Sequence, residues 1–433
     1  MIDFLNKEND KKSIVCSKMA WKECGTVRGV KFIHAADLHL GSVFSGFQHM
    51  HSAIYDKIKN SGYSALTRLV DTAIQERIDF VIFAGDIYDN EERNLKAQLK
   101  FKAEMERLEN YSIPVYLIHG NHDYMNGNYF DISLPANVHQ YEREVEVKQF
   151  IKENDGTVVN LYGFSYDKRH IHDRVIQEYK KADNGDYHIG ILHGNLDGES
   201  AHGNYAPFTR SELLSKQFDY WALGHIHKRM EILQDPPAIY PGCLQGRNKK
   251  ETGEKGFYLV SMSGSNTSLE FVPVSTVEWK TETIQANHIS SVNELIAELD
   301  KTKEAAYEPD KSILLNILID ASDCKMNPEW LFVDMDHLLE GLQDEEMDDI
   351  SVWIHSCTLI PPRYNSGGGE LSDTFIDELL RTTANMNSEQ YLKYGEALLT
   401  HSAARKYIEP WEENEWQQIL DEATLELVKR LNR

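Results

Sequence analysis

Three features of the sequence predict an α/β fold. Seven short apolar runs rich in β-branched and aromatic residues read as buried strands: VKFIHA, FVIFA, VYLIH, VVNLYGF, HIGILH, YWALG and GFYLV. Segments of helical period separate the first three. Short polar motifs follow most of the runs, where loops at the strand ends of an α/β fold converge on a site.

Taken in order, residues 1–29 show no clear period and read as a disordered or peripheral extension. They are also a candidate start-site artefact. Lys22-Glu23 can be encoded by AAGGAG, a bacterial ribosome-binding sequence, suitably upstream of Val27, whose codon can be the alternative start GTG. Residues 30–275 form the first predicted domain. Between its first two strands, Ile58, Leu66, Leu69, Val70, Ala73 and Ile74 recur at helical spacing. A second helix is expected over residues 95–108, and Pro114 then precedes the next strand. Residues 276–362 change to strand (277–283), helix (292–299), strand (313–319), helix (328–342) and strand (350–355), a small α+β domain. Pro361-Pro362 and the run Tyr364-Asn365-Ser366-Gly367-Gly368-Gly369 open a linker. The rest of 363–433 is a helical tail with two apolar stripes, Leu371, Phe375, Ile376, Leu379 and Leu380, then Trp416, Ile419, Leu420, Leu425 and Val428.

The composition excludes several classes. The 433 residues, 41% hydrophobic and 26% charged, suit a globular protein of two or three domains. No apolar run is long enough to span a membrane, and the first residues lack the basic-then-apolar order of a secretory signal. Five cysteines without a C-x-x-C pair suit a reducing cytoplasm and argue against a thiolate zinc site. The net charge of −24 is uneven: residues 1–280 carry −5 and residues 281–433 carry −19. Such a chain is a poor non-specific binder of polyphosphate, so the C-terminal third is not expected to grip nucleic acid. Metals, a local basic patch or a partner must do so.

Five motifs carry the chemistry: Asp37-Leu38-His39, Gly85-Asp86-Ile87-Tyr88-Asp89, Gly120-Asn121-His122-Asp123, His193-Gly194-Asn195 and Gly224-His225-Ile226-His227. Each alone is more often a turn or a structural histidine. In series, at successive strand ends, they supply the ligands of a two-metal phosphoesterase. Two divalent cations ~3.5–4 Å apart activate a water and neutralise phosphoryl oxygens. A close pair needs a bridging carboxylate, and Asp86 is the expected bridge. Asp37 with His39, and His225 with His227, have the i, i+2 spacing that lets both members reach one cleft. Asn121 offers a neutral oxygen and His193 another imidazole. A nitrogen/oxygen set without thiolate favours manganese, iron or zinc. His122, next to Asn121, is expected to face the substrate as the catalytic histidine, with Asp123 holding its other ring nitrogen. His202, in a polar loop behind His193, and Arg247 are candidate substrate contacts. The remaining histidines read as structural.

The series D-x-H, G-D-x-x-D, G-N-H-D, H-G-N and G-H-x-H resembles the calcineurin-like metallophosphoesterase superfamily over residues 30–273. FIHAADLHLGS, FDYWALGHIHK and IYPGCLQGRN followed by GEKGF most resemble its SbcD/YhaO-type DNA repair nucleases. The resemblance implies a β-sandwich flanked by helices, with a capping domain and a helical partner-binding tail. It implies one metal on Asp37, His39, Asp86 and His227 and another on Asp86, Asn121, His193 and His225. It also implies a manganese-dependent exonuclease, 3′ to 5′, with single-strand endonuclease activity. The implied partners are DNA, a second copy of the chain and an SMC-like coiled-coil ATPase of SbcC/YhaN type docked on the tail. Some relatives place a histidine near the phosphate where this chain has Asp89, which becomes a candidate substrate contact. The same five motifs also permit action on cyclic nucleotides, nucleotide-sugars or phosphoproteins.

Overall fold

A computed structural model describes residues 28–42, 52–89, 94–127, 130, 132–198, 205–324, 329–344 and 351–360, with isolated positions of the tail. The expected extension up to residue 27, the linker, both apolar stripes apart from Trp416, Ile419 and Leu420, and His202 lie outside the described residues. The chain divides into two compact units, residues 1–247 with 254–276, and residues 248–253 with 277–433.

The first unit is a sandwich of two six-stranded mixed sheets. One contains β1 (Gly29–Ala35), β2 (Phe80–Ala84), β3 (Val115–Ile118) and β4 (Val138–Gln140), all parallel, extended by antiparallel β11 (Gly256–Ser263) and β12 (Asn266–Pro273) in the order β12-β11-β1-β2-β3-β4. The other contains β5 (Glu146–Ile151), β6 (Val158–Gly163), β7 (Tyr187–His193), β8 (Tyr220–Gly224), β9 (Met230–Gln234) and β10 (Pro237–Tyr240), in the order β5-β6-β7-β8-β10-β9. Its four middle strands are parallel.

Strand alternation assigns the two faces of each sheet. In β2, Phe80, Ile82 and Ala84 enter the core between the sheets, beside Phe32, Ile189, Ile191, Tyr220 and Ala222. Phe32 stacks on Phe80 at 4.9 Å and meets Tyr220 edge-on at 5.4 Å. Val81 and Phe83 point the other way, towards α1 (Ser52–Gln75) and α2 (Leu95–Asn110), where Leu66, Leu69, Val70, Phe101 and Met105 cover them. The outer face of the second sheet is covered differently. Trp221 and Leu223 pack under Phe164, Tyr179 and Phe218, with Leu213 from the six-residue helix α3 (Arg210–Ser215). Aromatic loop residues thus take the place of long helices there.

The apolar runs locate the central strands. They miss β4, β5, β9, β10 and β12. Of these, β5 and β12 are edge strands whose residues alternate between half-buried and exposed, so they never form a continuous apolar run.

The second unit has three parallel strands in sequence order: β13 (Val277–Gln285), β14 (Ser312–Asp320) and β15 (Val352–Ile360). Helices α4 (Val292–Ala306) and α5 (Met335–Asp344) make the crossovers that parallel neighbours require. The order strand, helix, strand, helix, strand is the one expected, and the strands are all parallel, a β-α-β-α-β layer. The region expected as one helix from residue 328 includes a 3₁₀ turn (Glu329–Phe332) before α5. Trp330 is fully buried against Ile289, Leu295 and Ile313, and its indole N–H donates to the Ile289 carbonyl at 3.0 Å.

Phe80 lies at the centre of the inter-sheet core. Phe80→Ala is expected to cost roughly 3–5 kcal/mol, measured as a shift in the urea unfolding curve. A loss below that range would mean the two sheets collapse readily onto the gap.

Candidate metal centre

The five motifs meet where β1, β2, β3, β7 and β8 end. Asp37, His39, Asp86 and His225 have φ values of 53°, 43°, 53° and 104°. They are four of the nine non-glycine residues with positive φ among the described residues. Such conformations cost about 1–3 kcal/mol each and persist only where surroundings fix them. Here the loop after β1 is stitched to the loop after β2: Asp37, His39 and Leu40 N–H groups donate to the Gly85, Asp86 and Ile87 carbonyls at 3.1, 2.9 and 2.8 Å. The His225 N–H donates to both Asp37 carboxylate oxygens at 3.1 Å. Gly120 allows a close approach. A Cβ there would overlap Asp86 Oδ1 and lie 2.7 Å from His193 Nε2.

Around this frame the side chains converge. His39 Nε2 lies 3.0 Å from His227 Nε2 and 3.6 Å from Asp86 Oδ2. On the other side, His193 Nε2 lies 3.4 Å from the same Asp86 Oδ2 and 3.0 Å from Asn121 Oδ1. His225 Nδ1 reaches that Asn121 oxygen at 3.0 Å. Asp37, His39 and His227 form one cluster of possible ligand atoms within 4.8 Å, and Asp37, Asp86 and His193 another. A third, His39, Asp89 and His122, contains an internal ion pair: His122 Nδ1 is 3.2 Å from Asp89 Oδ1. His122 is anchored to the same carboxylate as the imidazoles, its N–H donating to Asp86 Oδ1 at 2.9 Å. Its ring meets His39 edge-on at 4.9 Å.

A profile of the calcineurin-like phosphoesterase family matches residues 30–229. Over 406 residues the chain is 34% identical to a Bacillus subtilis protein named an uncharacterized metallophosphoesterase, YhaO, covering 92% of this chain and 97% of that one. The chain belongs to the calcineurin-like phosphoesterase family. It is also 25% identical over 300 residues to the DNA double-strand break repair protein Mre11 of Thermoplasma acidophilum, covering 64% of this chain and 74% of that one. With Mre11 of Methanocaldococcus jannaschii it shares 26% over 286 residues, 63% of this chain and 74% of that one.

Metallophosphoesterases bind two divalent metals, and this phosphoesterase has a donor set that fits them. The His193 Nδ1–H donates to the Ala84 carbonyl at 2.9 Å, which leaves the Nε2 lone pair of the neutral ring facing Asp86. A lone pair facing a buried carboxylate needs a cation between them or a second proton on the ring. His39 points its Nε2 at His227 Nε2 and Asp86 Oδ2, while its Nδ1 is buried without a hydrogen-bond partner among the described residues.

Burial raises the Asp37 carboxyl to about 6, although His227 and His193 draw it down. Burial alone would lower His193, but the Asp86 charge and hydrogen bond outweigh it and hold the ring at about 9. Burial would likewise raise Asp86, yet His193, His122 and His39 keep it well below the carboxylate range. For His39, burial and the Arg247 charge push the imidazole well below its ordinary value.

Some expected roles change. Asp123 does not hold His122. It is fully buried and accepts from the Gly120, Ile87 and Asp86 N–H groups at 2.6, 2.8 and 3.2 Å, and from His119 at 3.2 Å. A carboxylate one residue after His122 is thus spent on the turn itself. Asp89, expected as a substrate contact, takes the imidazole instead, and Ser42 Oγ donates to its other oxygen at 2.9 Å. Arg247 does reach the site, with Nη2 3.2 Å from His227 Nδ1 and Nη1 3.4 Å from Asp89 Oδ2. Ser42 was not singled out by its residue type. Its sequence signal is its place at the end of FIHAADLHLGS, three residues after His39. His34 and His188, read as structural, contact buried tyrosines at 2.9 and 2.7 Å.

A cation held by His193 and Asp37 would displace the proton that Asp86 keeps on His193 and would need the Asp37 carboxylate. Affinity for Mn²⁺ is therefore expected to rise with pH, since Asp37 deprotonates near 6 and His193 is freed near 9. Titration calorimetry in buffers of different ionisation enthalpy should show proton release on binding. A pH-independent affinity with no proton release would contradict the arrangement.

Proposed function

We propose that this phosphoesterase is a manganese-dependent DNA nuclease, a 3′ to 5′ exonuclease with single-strand endonuclease activity, working in repair in the cytoplasm. The observation that carries the DNA reading is the similarity to two DNA double-strand break repair proteins, over 300 and 286 residues, well beyond the 200 or so that the family profile spans. Asp37, His39, Asp86 and His227 would hold one divalent cation, and Asp86, Asn121, His193 and His225 the other. When bound, the pair supplies an activated water and neutralises phosphoryl oxygens.

The protein's own groups then account for orientation and proton transfer. Asp86 fixes the His122 backbone, so the imidazole is set relative to both clusters. Burial opposes protonation of His122, but its hydrogen bond to Asp89 and the charges of Asp86 and Asp89 prevail and raise its pKa. With Asp89 on Nδ1, Nε2–H is the donor left for the substrate, and it protonates the departing sugar oxygen. Arg247, beside His227, contacts a phosphate of the substrate. Residues 276–362 serve as the capping domain. The tail beyond 363 docks an SMC-like coiled-coil ATPase, and two copies pair through the first unit. Deleting residues 364–433 should abolish co-purification with that ATPase, and its retention would sink the docking role.

The catalytic assignment has two tests. His122→Asn should retain both metals while kcat on labelled duplex and hairpin DNA falls by about 10²–10⁴. Unchanged kcat with full metal content would remove His122 from the chemistry. A general acid loses activity as pH rises through its pKa, and Asp89 raises that pKa. Asp89→Asn should therefore move the basic limb of the kcat profile to lower pH, and an unmoved limb would separate Asp89 from proton transfer. Comparing DNA with cyclic nucleotides and bis-p-nitrophenyl phosphate tests the substrate class.

A further inference from the structure

A cleft opens beside His39, lined also by Ser42, by Lys59 and Tyr63 of α1, and by Gln245 and Arg247. Two cations therefore line a recess next to the candidate metal centre of a chain whose net charge is −24. The architecture of α1 keeps this recess open. Lys59, Gly62 and Tyr63 stand at i, i+3 and i+4, one helix face, and all three line it. Gly62 costs its helix about 0.5–1 kcal/mol relative to Ala, and a Cβ at that position would meet nothing closer than Leu40 Cδ2 at 3.8 Å. Backbone crowding therefore does not demand the glycine, and the missing side chain leaves that stretch of the cleft lining bare.

Lys59 is the lysine that lines this cleft. It is exposed and forms no ion pair among the described residues, and its ammonium lies 5.6 Å from the centre of the Tyr55 ring. A second ammonium, that of Lys96, is 5.3 Å from the ring centre of the cleft residue Tyr63. Arg247 lines the cleft from the His227 side, its Nη2 3.2 Å from His227 Nδ1 and its Nη1 3.4 Å from Asp89 Oδ2 and from Ser42 Oγ. A scissile phosphoryl group belongs against the metal clusters, so the cleft offers its positive charge to a different anion nearby.

We propose that this cleft is a second phosphate subsite, in which Lys59 and Arg247 hold a phosphate adjacent to the scissile one on the same polynucleotide strand. The proposal rests on the nuclease reading, because only a chain of linked nucleotides places a second phosphodiester there. Lys59 is then a specificity-determining residue: it favours strands over isolated diesters.

The test compares kcat/KM for a single-stranded oligonucleotide with that for bis-p-nitrophenyl phosphate, which has no neighbouring phosphate, using full-length protein loaded with Mn²⁺. In Lys59→Ala the ratio of the two should fall about fivefold, the scale of an exposed charge pair. It should fall further in Lys59→Glu and return in Lys59→Arg. The dependence of oligonucleotide affinity on salt should also lose about 0.7 from its logarithmic slope, one phosphate contact on a single strand. A ratio that stays at the wild-type value, whether the two activities hold or fall in parallel, overturns the subsite while leaving the nuclease reading intact. A wild type that hydrolyses the small diester but no DNA overturns the nuclease reading, and the subsite with it.

Discussion

The Asp86 carboxylate is the constraint on which the site depends. It is almost fully buried, its Oδ2 lies 3.6 and 3.4 Å from imidazole nitrogens on opposite sides, and its Oδ1 accepts the N–H of His122. A buried carboxylate is costly unless its charge is met, and one hydrogen bond does not meet it. The surrounding imidazoles are placed for two tasks. Without metal the His193 ring keeps a proton that offsets the Asp86 charge, and with metal the same rings would serve as ligands around it. The same carboxylate positions the catalytic candidate, so cation binding and proton delivery share one reference point.

Holding that carboxylate in place demands a stiff frame. The inter-sheet core, with Phe32, Phe80 and Tyr220 in ring contact, fixes β1, β2 and β8 relative to one another. At their ends the chain adopts positive φ at Asp37, His39, Asp86 and His225, conformations an isolated loop would abandon. Asp123 holds the strain from below by binding three backbone N–H groups at once. Its part is to keep the turn, and so the ligands, where the chemistry needs them.

Much of this was legible in the sequence, for identifiable reasons. Buried parallel strands are continuous apolar runs, so FVIFA and HIGILH announced themselves, and metal ligands are restricted to few residue types, so the motifs at their ends did too. Asp89 shows where this reading stops. Two carboxylates, Asp123 beside His122 and Asp89 three residues after Asp86, were each able to hold the imidazole, and only the fold says which is turned towards it. Edge strands β5 and β12 were invisible because half their residues face solvent. Lys59 was invisible for another reason: an exposed lysine on a helix carries no signal until the cleft it lines is seen.

The central claim is that two divalent cations share Asp86. Crystals grown with Mn²⁺ and measured at the manganese absorption edge test it most directly. The account predicts two anomalous peaks about 3.5–4 Å apart, one beside His39 and His227, the other beside His193 and Asn121, both within coordination distance of Asp86. A single peak, or a pair of which only one touches Asp86, would contradict it.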